Sequence, residues 1–425
     1  MSVSRLDRRS FLRVLMIGTE DVDMRIELMQ HLRDEFTLAA AGTAPALGHR
    51  FAAAGFQYFV YPLPRGTSPA RDVYAFAALV RLLRRFRPDV VHSFDSKPCV
   101  YGRLASRLAG VPVVIGTIPG LGSLYVEEAS RPDGLARRLV RRMYESMQKL
   151  ASHSSDLTIF QNQTDAAEFL GKSIVPQDKV TIVPGSGVRT DLFDPAHVSA
   201  DQRRQLRTSL GVPEGALLVT MISRVIRTKG VLEYAAAAAE VRRRHPEVHF
   251  LLVGPDDDRS LDRLSPTERA ELVGAVNWPG PRSDVPQILA ASDMFVLPTF
   301  YREGIPRVLL EAASMGLPLV STHSPGCTEV VEDGVNGYLV PVRDPAALAS
   351  AVGRLVADPD ARARFGAESR RRTVAQFDLS AVGGRIRSIY RDLLARRGLR
   401  QYAGIDPARN VVPGTAQENC PTCVT

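Results

Sequence analysis

Tyr301-Arg302-Glu303-Gly304-Ile305-Pro306-Arg307-Val308-Leu309-Leu310-Glu311 follows an apolar run over 294–298 and opens a helical pattern reaching Met315. A short apolar run, a glycine-bearing turn and a helix, in that order, form one half of a β–α–β unit. Gly304 allows close backbone approach, and Pro306 suits the first turn of a helix. The free N–H groups of such a turn favour a diphosphate. Taken as helical, Glu303 and Glu311 stand about 12 Å apart along the axis and roughly 80° apart around it. That separation suits two hydroxyl-bearing ends of one ligand. It is too long for two carboxyls sharing a proton, or for a pair only about 5 Å apart.

A second loop has the same setting. Ser223-Arg224-Val225-Ile226-Arg227-Thr228-Lys229-Gly230 follows an apolar run over 216–222 and precedes a helix over 231–241. A guanidinium and an ammonium five residues apart can converge on one diphosphate. When a bond to phosphate breaks, fixed cations there stabilise the charge that develops.

Outward from these loops, short apolar runs alternate with helical patterns, which predicts parallel sheets. Strands are expected over 11–17, 57–61, 90–93, 113–116, 157–161 and 179–184. The rhythm restarts over 216–222, 248–254, 276–278, 294–298, 318–322 and 337–340. Helices are expected over 25–36, 73–86, 101–109, 135–152, 200–210 and 379–397. The expected fold is α/β, with two Rossmann-like domains facing each other across a cleft. They span 1–190 and 191–378, followed by a closing helix over 379–400 and a disordered tail over 401–425.

The chain has 425 residues and a net charge of +8. That balance favours anionic partners, and the absence of nucleic-acid-binding motifs predicts no nucleic acid among them. No apolar stretch approaches the length of a membrane span. Asp7-Arg8-Arg9-Ser10-Phe11-Leu12 imitates a twin-arginine export signal, but the following apolar run is too short, so it reads as a first strand. Cys420 and Cys423 form a lone C-x-x-C with no second pair to complete a zinc site. Asp256-Asp257-Asp258 imitates a metal-binding acidic motif, yet Arg224 and Lys229 already supply positive charge, so no metal is expected. Leu135, Leu139, Met143, Met147 and Leu150 form one helical stripe, opposite Arg137, Arg138, Arg141 and Arg142. This is either a core stripe with a solvated basic face or, with the basic run over 81–87, a face docking on anionic membrane.

Taken together, the sequence resembles glycosyltransferase family 4, over about residues 12–397. Glu303 and Glu311 match the family's E-x7-E motif, and Arg224 with Lys229 match its diphosphate pair. The segments 280–285 and 323–341 resemble its base-side loop and the unit after the glutamate motif. The resemblance implies a GT-B fold and a retaining, metal-independent transfer from a nucleotide sugar, with UDP as the expected nucleotide. Arg224, Lys229 and Glu303 are then the expected catalytic residues. Gly18, Gly254, Arg282, Gly304, Ile305, Pro306, Arg307 and Glu311 are the expected donor-binding ones.

On the acceptor side, His92-Ser93-Phe94-Asp95-Ser96-Lys97-Pro98, Tyr101-Gly102-Arg103 and the stretch 116–122 resemble members that extend lipid-diphosphate-linked sugars in bacterial polysaccharide assembly. His92, Lys97, Gly120 and Gly122 are the expected acceptor contacts. Pro119 stands where many members carry a histidine, so no catalytic histidine is carried over. The expected partners are a nucleotide sugar, a lipid-linked or polysaccharide acceptor and the anionic cytoplasmic face of the cell membrane. The alternative readings are a sugar-nucleotide epimerase of the same fold and a catalytically silent nucleotide-sugar-binding protein.

Overall fold

The computed structural model describes residues 11–64, 66, 68–126, 134–258, 260 and 262–399. The tail with Cys420 and Cys423, and most of the signal-like N-terminal stretch, lie outside the described residues. The first sheet is built from β1 (Leu12–Ile17), β2 (Phe36–Gly42), β3 (Gln57–Val60), β4 (Val90–Ser93), β5 (Val113–Ile118), β6 (Leu157–Phe160) and β7 (Val180–Ile182). All pairings are parallel, in the order β3-β2-β1-β4-β5-β6-β7. Helices α1 (Ile26–Leu32), α2 (Gly48–Ala53), α3 (Pro69–Phe86), α4 (Ser96–Leu108), α5 (Leu135–Ser154) and α6 (Gln163–Gly171) connect them.

After α7 (Ala200–Ser209) the second sheet begins, with β8 (Leu217–Ile222), β9 (Val248–Val253), β10 (Asn277–Gly280), β11 (Met294–Leu297), β12 (Leu319–Thr322) and β13 (Gly337–Val340). Its order is β10-β9-β8-β11-β12-β13, again parallel. The helices here are α8 (Val231–Arg244), α9 (Pro266–Ala275), α10 (Val285–Ala291), α11 (Arg307–Ser314), α12 (Cys327–Val330), α13 (Pro345–Ala357), α14 (Pro359–Gln376) and α15 (Leu379–Arg396). In each sheet the first strand lies centrally and the order reverses beside it, the point where open α/β sheets bind ligands.

Two expectations about elements are corrected. The helix expected over 25–36 is only α1, and Phe36 instead starts β2, a buried strand that the sequence reading omitted. Its residues Leu38-Ala39-Ala40-Ala41 carry little strand propensity and lie buried between β1 and β3. The glutamate motif is not helical throughout. Pro306 is the cap residue before α11 (φ −62°, ψ 116°), not part of its first turn, so Glu303 sits in the preceding loop.

The chain crosses between domains twice at one place. Val188 N–H donates to Phe377 O at 2.9 Å, and Leu379 N–H donates to Val188 O at 2.9 Å. Beyond that crossing α15 packs on α1, and Val382, Ile386, Tyr390, Leu393 and Leu394 join the first domain's core. His92 marks the junction. Its ring is wholly buried, with Nδ1 2.7 Å from the Tyr390 hydroxyl and Nε2 2.6 Å from Thr117 Oγ1. Both nitrogens are occupied, so His92 fastens α15 to the sheet and offers no atom to an acceptor. Burial, followed by the nearby Arg25, pushes its pKa down to about 3.

That burial makes a prediction. Between the ordinary histidine value near 6.5 and about 3, the unfolded chain binds a proton that folded His92 refuses. Stability from this group is full above that range and falls with acid by up to about 1.4 kcal/mol per pH unit. His92→Gln should lose about 1–3 kcal/mol near neutrality and show a shallower acid slope. Urea unfolding at pH 7 and pH 5 reads both; an unchanged slope would assign the acid sensitivity to other groups.

Candidate functional site

The carboxyl edges of the two sheets face each other. From the second domain, the loops after β8 and β11 are laced together. Thr228 O accepts from Phe300 N–H at 2.9 Å and Tyr301 N–H at 3.1 Å. A side chain at Gly230, where φ is +78°, would place its Cβ 2.1 Å from Pro298 O. This fixes Lys229 beside the glutamate loop. Its ammonium donates to Glu303 Oε1 at 2.8 Å and Oε2 at 2.7 Å, and lies 5.6 Å from the Tyr301 ring centroid.

Arg224, earlier on the same loop as Lys229, donates to Asp257 at 2.8 Å. Its charge also reaches Asp21, in the loop after β1 of the first domain. Of the expected catalytic residues, Lys229 and Glu303 are thus brought together, while Arg224 stands on the same loop with Asp257 as its partner. Glu311 lies one helix turn beyond Arg307, whose Nε donates to it at 3.0 Å, and burial raises its pKa against that pairing. Arg307 also spans the cleft, donating through Nη2 to Glu27 of α1 at 2.5 Å. A cavity of about 420 Å³ lies here, lined from both domains by Met24, Glu27, Arg307, Val308 and Glu311 among others.

Several expected ligand contacts serve the fold as placed. Gly304 is buried, and a Cβ there would lie 1.9 Å from Pro119 O and 2.2 Å from Gln161 Oε1. Gly120 meets the same loop, with Gly304 N 2.6 Å from its would-be Cβ, and Gly122 N–H donates to Arg302 O at 2.8 Å. Ile305 N–H donates to Gln161 Oε1 at 3.2 Å. Gly254 closes on Ser223 O, 1.8 Å from its would-be Cβ, so the close approach it permits is to the neighbouring loop. Gly18 N–H is taken by Ala41 O. Lys97 spends its ammonium on Pro64 O, Gly66 O and Asp72, tying the segment before α3 to α4 as a strut. Arg282 stands beyond β10 and pairs with Asp284.

The aspartate run is likewise engaged: Asp256 pairs with Arg269 and Asp257 with Arg224. Among the described residues, no three His, Cys, Asp or Glu side chains converge as a metal site.

Three cleft residues escaped the sequence reading as individuals. Asp95 follows β4 with φ at +66°, uncommon for a non-glycine residue, and its Oδ2 accepts from Thr19 N–H at 3.1 Å and Thr19 Oγ1 at 3.0 Å. Arg25 lies 4.4 Å over the Phe94 ring and donates to Ser186 Oγ at 2.9 Å. Asp21 completes the group. With Thr43, Ser96 and Lys97, Asp21 and Asp95 line a cavity of about 300 Å³ at this edge of the first domain. Their positions just after β1 and β4 were the available signal.

Two facing Rossmann-like sheets, with paired cations and carboxylates at their edges, define a two-domain transferase of activated, phosphate-bearing donors. The comparisons narrow that class. Residues 22–185 match the model described as glycosyl transferase 4-like domain, and residues 216–358 match that of glycosyl transferases group 1. The chain belongs to this glycosyltransferase family and has its GT-B fold.

An Escherichia coli UDP-Gal:alpha-D-GlcNAc-diphosphoundecaprenol alpha-1,3-galactosyltransferase is 28% identical over 345 residues, covering 80% of this chain and 84% of the relative. The N,N'-diacetylbacillosaminyl-diphospho-undecaprenol alpha-1,3-N-acetylgalactosaminyltransferase of Campylobacter jejuni is 27% identical, covering 79% and 86%. The Anabaena protein Alr3699/HepE, solved with UDP-glucose, superposes with a TM-score of 0.73 at 20% identity, covering 89% of this chain and 99% of that one.

Gly304 offers a direct check on the cleft geometry. Gly304→Ala should force Pro119 and the glutamate loop apart by an ångström or more, lowering kcat/KM by about 100-fold. Small-angle scattering should show a larger radius of gyration. A variant as compact and as active as the parent would show that the inter-domain contact is not needed.

Proposed function

We propose that the protein is a retaining glycosyltransferase that moves a hexose or N-acetylhexosamine from a UDP-sugar onto a lipid-diphosphate-linked sugar. It would act at the cytoplasmic face of the membrane, in cell-surface glycan assembly. The observation that carries this reading is the pairing of Lys229 with Glu303 between the loops after β8 and β11, with Arg224 on the first of those loops and the buried Glu311 on the helix that follows the second. Arg224 and Lys229 take the donor diphosphate, Glu303 orients the hydroxyls of the transferred sugar, and Glu311 holds the ribose.

In the proposed transfer, the acceptor oxygen forms a bond to the anomeric carbon on the face from which the diphosphate leaves. The anomeric carbon–oxygen bond to phosphate breaks, and the acceptor's proton passes to the departing phosphate. Lys229 and Arg224 act because the leaving oxygen carries more charge in the transition state than in the bound donor. The two undecaprenol-diphosphate-linked relatives support the acceptor class, and the UDP-Gal of one of them supports the donor. The paired cations already supply the positive charge that a metal would bring.

Lys229→Ala should lower kcat by about 10²–10³-fold with a smaller change in KM. A change confined to KM would make Lys229 a ground-state binding residue. Glu311→Ala should weaken UDP binding by calorimetry, and turnover should survive EDTA. Thermal shift with UDP-, GDP- and ADP-sugars tests the donor: at about 100 times Kd the favoured one stabilises the fold by about 2.7 kcal/mol. A larger shift from a GDP- or ADP-sugar would reassign the nucleotide.

A further inference from the structure

The apolar stripe of α5 is not in the core. Leu135 is 85% exposed, Leu139 67% and Met143 47%, and Val140 beside them is 39% exposed. The core-stripe reading is thereby set aside, and two arginines opposite the stripe turn inward. Arg137 Nη2 donates to Val126 O at 2.6 Å, and Arg141 Nε donates to Leu124 O at 3.1 Å with its guanidinium 5.3 Å from the Tyr125 ring centroid. Arg138 and Arg142 remain exposed. By helical geometry they lie within about 60° of Leu135, along one margin of the stripe.

The other half of the helix is fixed. Gln148, Ala151 and Ser152 are buried, and the fully buried guanidinium of Arg103 donates to Ser152 Oγ at 3.2 Å and Thr158 Oγ1 at 3.0 Å. One half of α5 is thus fastened to the domain while the other presents leucines and arginines to solvent. A water-facing helix gains nothing from such leucines, whereas an apolar face edged with arginine suits the boundary between anionic headgroups and acyl chains. The helix is also coupled to the cleft. Arg137 and Arg141 hold the segment 124–126, and Gly122, just before it, bonds to Arg302 beside Glu303.

We infer that Leu135, Leu139, Val140 and Met143, flanked by Arg138 and Arg142, are the surface by which the protein seats on an anionic bilayer. This seating brings the cleft mouth to lipid-linked acceptors. Basic residues of α3 add to the field, since Arg81, Arg84 and Arg85 are exposed on a helix that shares α4 as a neighbour with α5. The inference rests on the lipid-linked acceptor reading above, and its test separates the two.

The full chain should float with phosphatidylglycerol-containing vesicles and not with phosphatidylcholine alone. Arg138→Glu with Arg142→Glu should weaken that partition by at least about thirtyfold. Leu135→Ser, Leu139→Ser and Met143→Ser together should abolish it while the thermal midpoint is retained. Because Trp278 is the chain's single tryptophan, Leu139→Trp adds a second fluorophore, which brominated lipids should quench. Transfer to a short-chain acceptor in detergent should be the same in these variants as in the parent.

Equal flotation with both vesicle types, or flotation unchanged by the triple serine variant, would overturn the inference. So would a dimer in solution that the serine variant dissociates, which would give the face to a second copy. No transfer to the soluble acceptor by the parent chain would instead sink the acceptor reading, leaving the flotation result to stand on its own.

Discussion

No side chain fits where the loop of Gly304 passes between the two domains. On one side Pro119 O would lie 1.9 Å from a Cβ at Gly304, and on the other Gly304 O would lie 1.4 Å from a Cβ at Gly326. Three backbone segments, from β5, β11 and β12, therefore stack without side chains between them. The rest of the site hangs on this contact. It places Glu303 at the cleft edge, sets Arg302 against Asp165 and Glu168 of α6, and aligns α11 so that Arg307 reaches Glu27. Glycine was read in the sequence as room for a ligand, but here the room is filled by the other domain.

The sequence disclosed most where one residue type has one physical use. Short apolar runs alternating with helical patterns marked the parallel strands, and the charged motifs after β8 and β11 marked the two loops that the Lys229–Glu303 pair joins. It disclosed less where one pattern serves two structures. β2 is rich in alanine, which packs in a buried strand as readily as in a helix, so strand propensity had nothing to register. The helical arithmetic for Glu303 failed for a legible reason. The residue before a proline avoids the helical region, and Ile305 precedes Pro306. Helical periodicity in α5 located the apolar stripe but carries no sign, so it could not say which face meets the protein. That sign came from the carbonyls of Leu124 and Val126, which draw Arg141 and Arg137 inward. Of the four arginines read as opposite the stripe only Arg137 and Arg141 are, since Arg138 and Arg142 lie along its margin.

His92 and Lys97 show the same limit on single polar residues at strand ends. Both stand at or just after β4, where ligands are expected. One is consumed by Tyr390 and Thr117, the other by Asp72 and two carbonyls. Their partners come from α15 and β5 for His92, and from α3 and the segment before it for Lys97, distant in sequence and invisible to local reading. Burying a polar group is tolerable only when its hydrogen bonds are made, so a polar side chain deep in a fold has usually been claimed already.

The charges at the loops after β8 and β11 follow this rule in a way that bears on the proposed chemistry. Each has a counter-charge within the protein: Lys229 with Glu303, Arg307 with Glu311, and Arg224 with Asp257. The pairs differ in shielding. The Arg224 side chain is 48% exposed, so water and salt screen its bond to Asp257, and such pairs contribute little, about 0–1 kcal/mol. Lys229 and Glu303 are only 11% and 20% exposed, and separating them would leave two poorly solvated charges. On the proposed reading, an arriving diphosphate therefore draws Arg224 away from Asp257 at small cost. Lys229 instead keeps Glu303 while it turns spare N–H bonds to the phosphate. The carboxylate that orients the sugar and the cation that faces the leaving oxygen then move as one unit, so the position of either fixes the other.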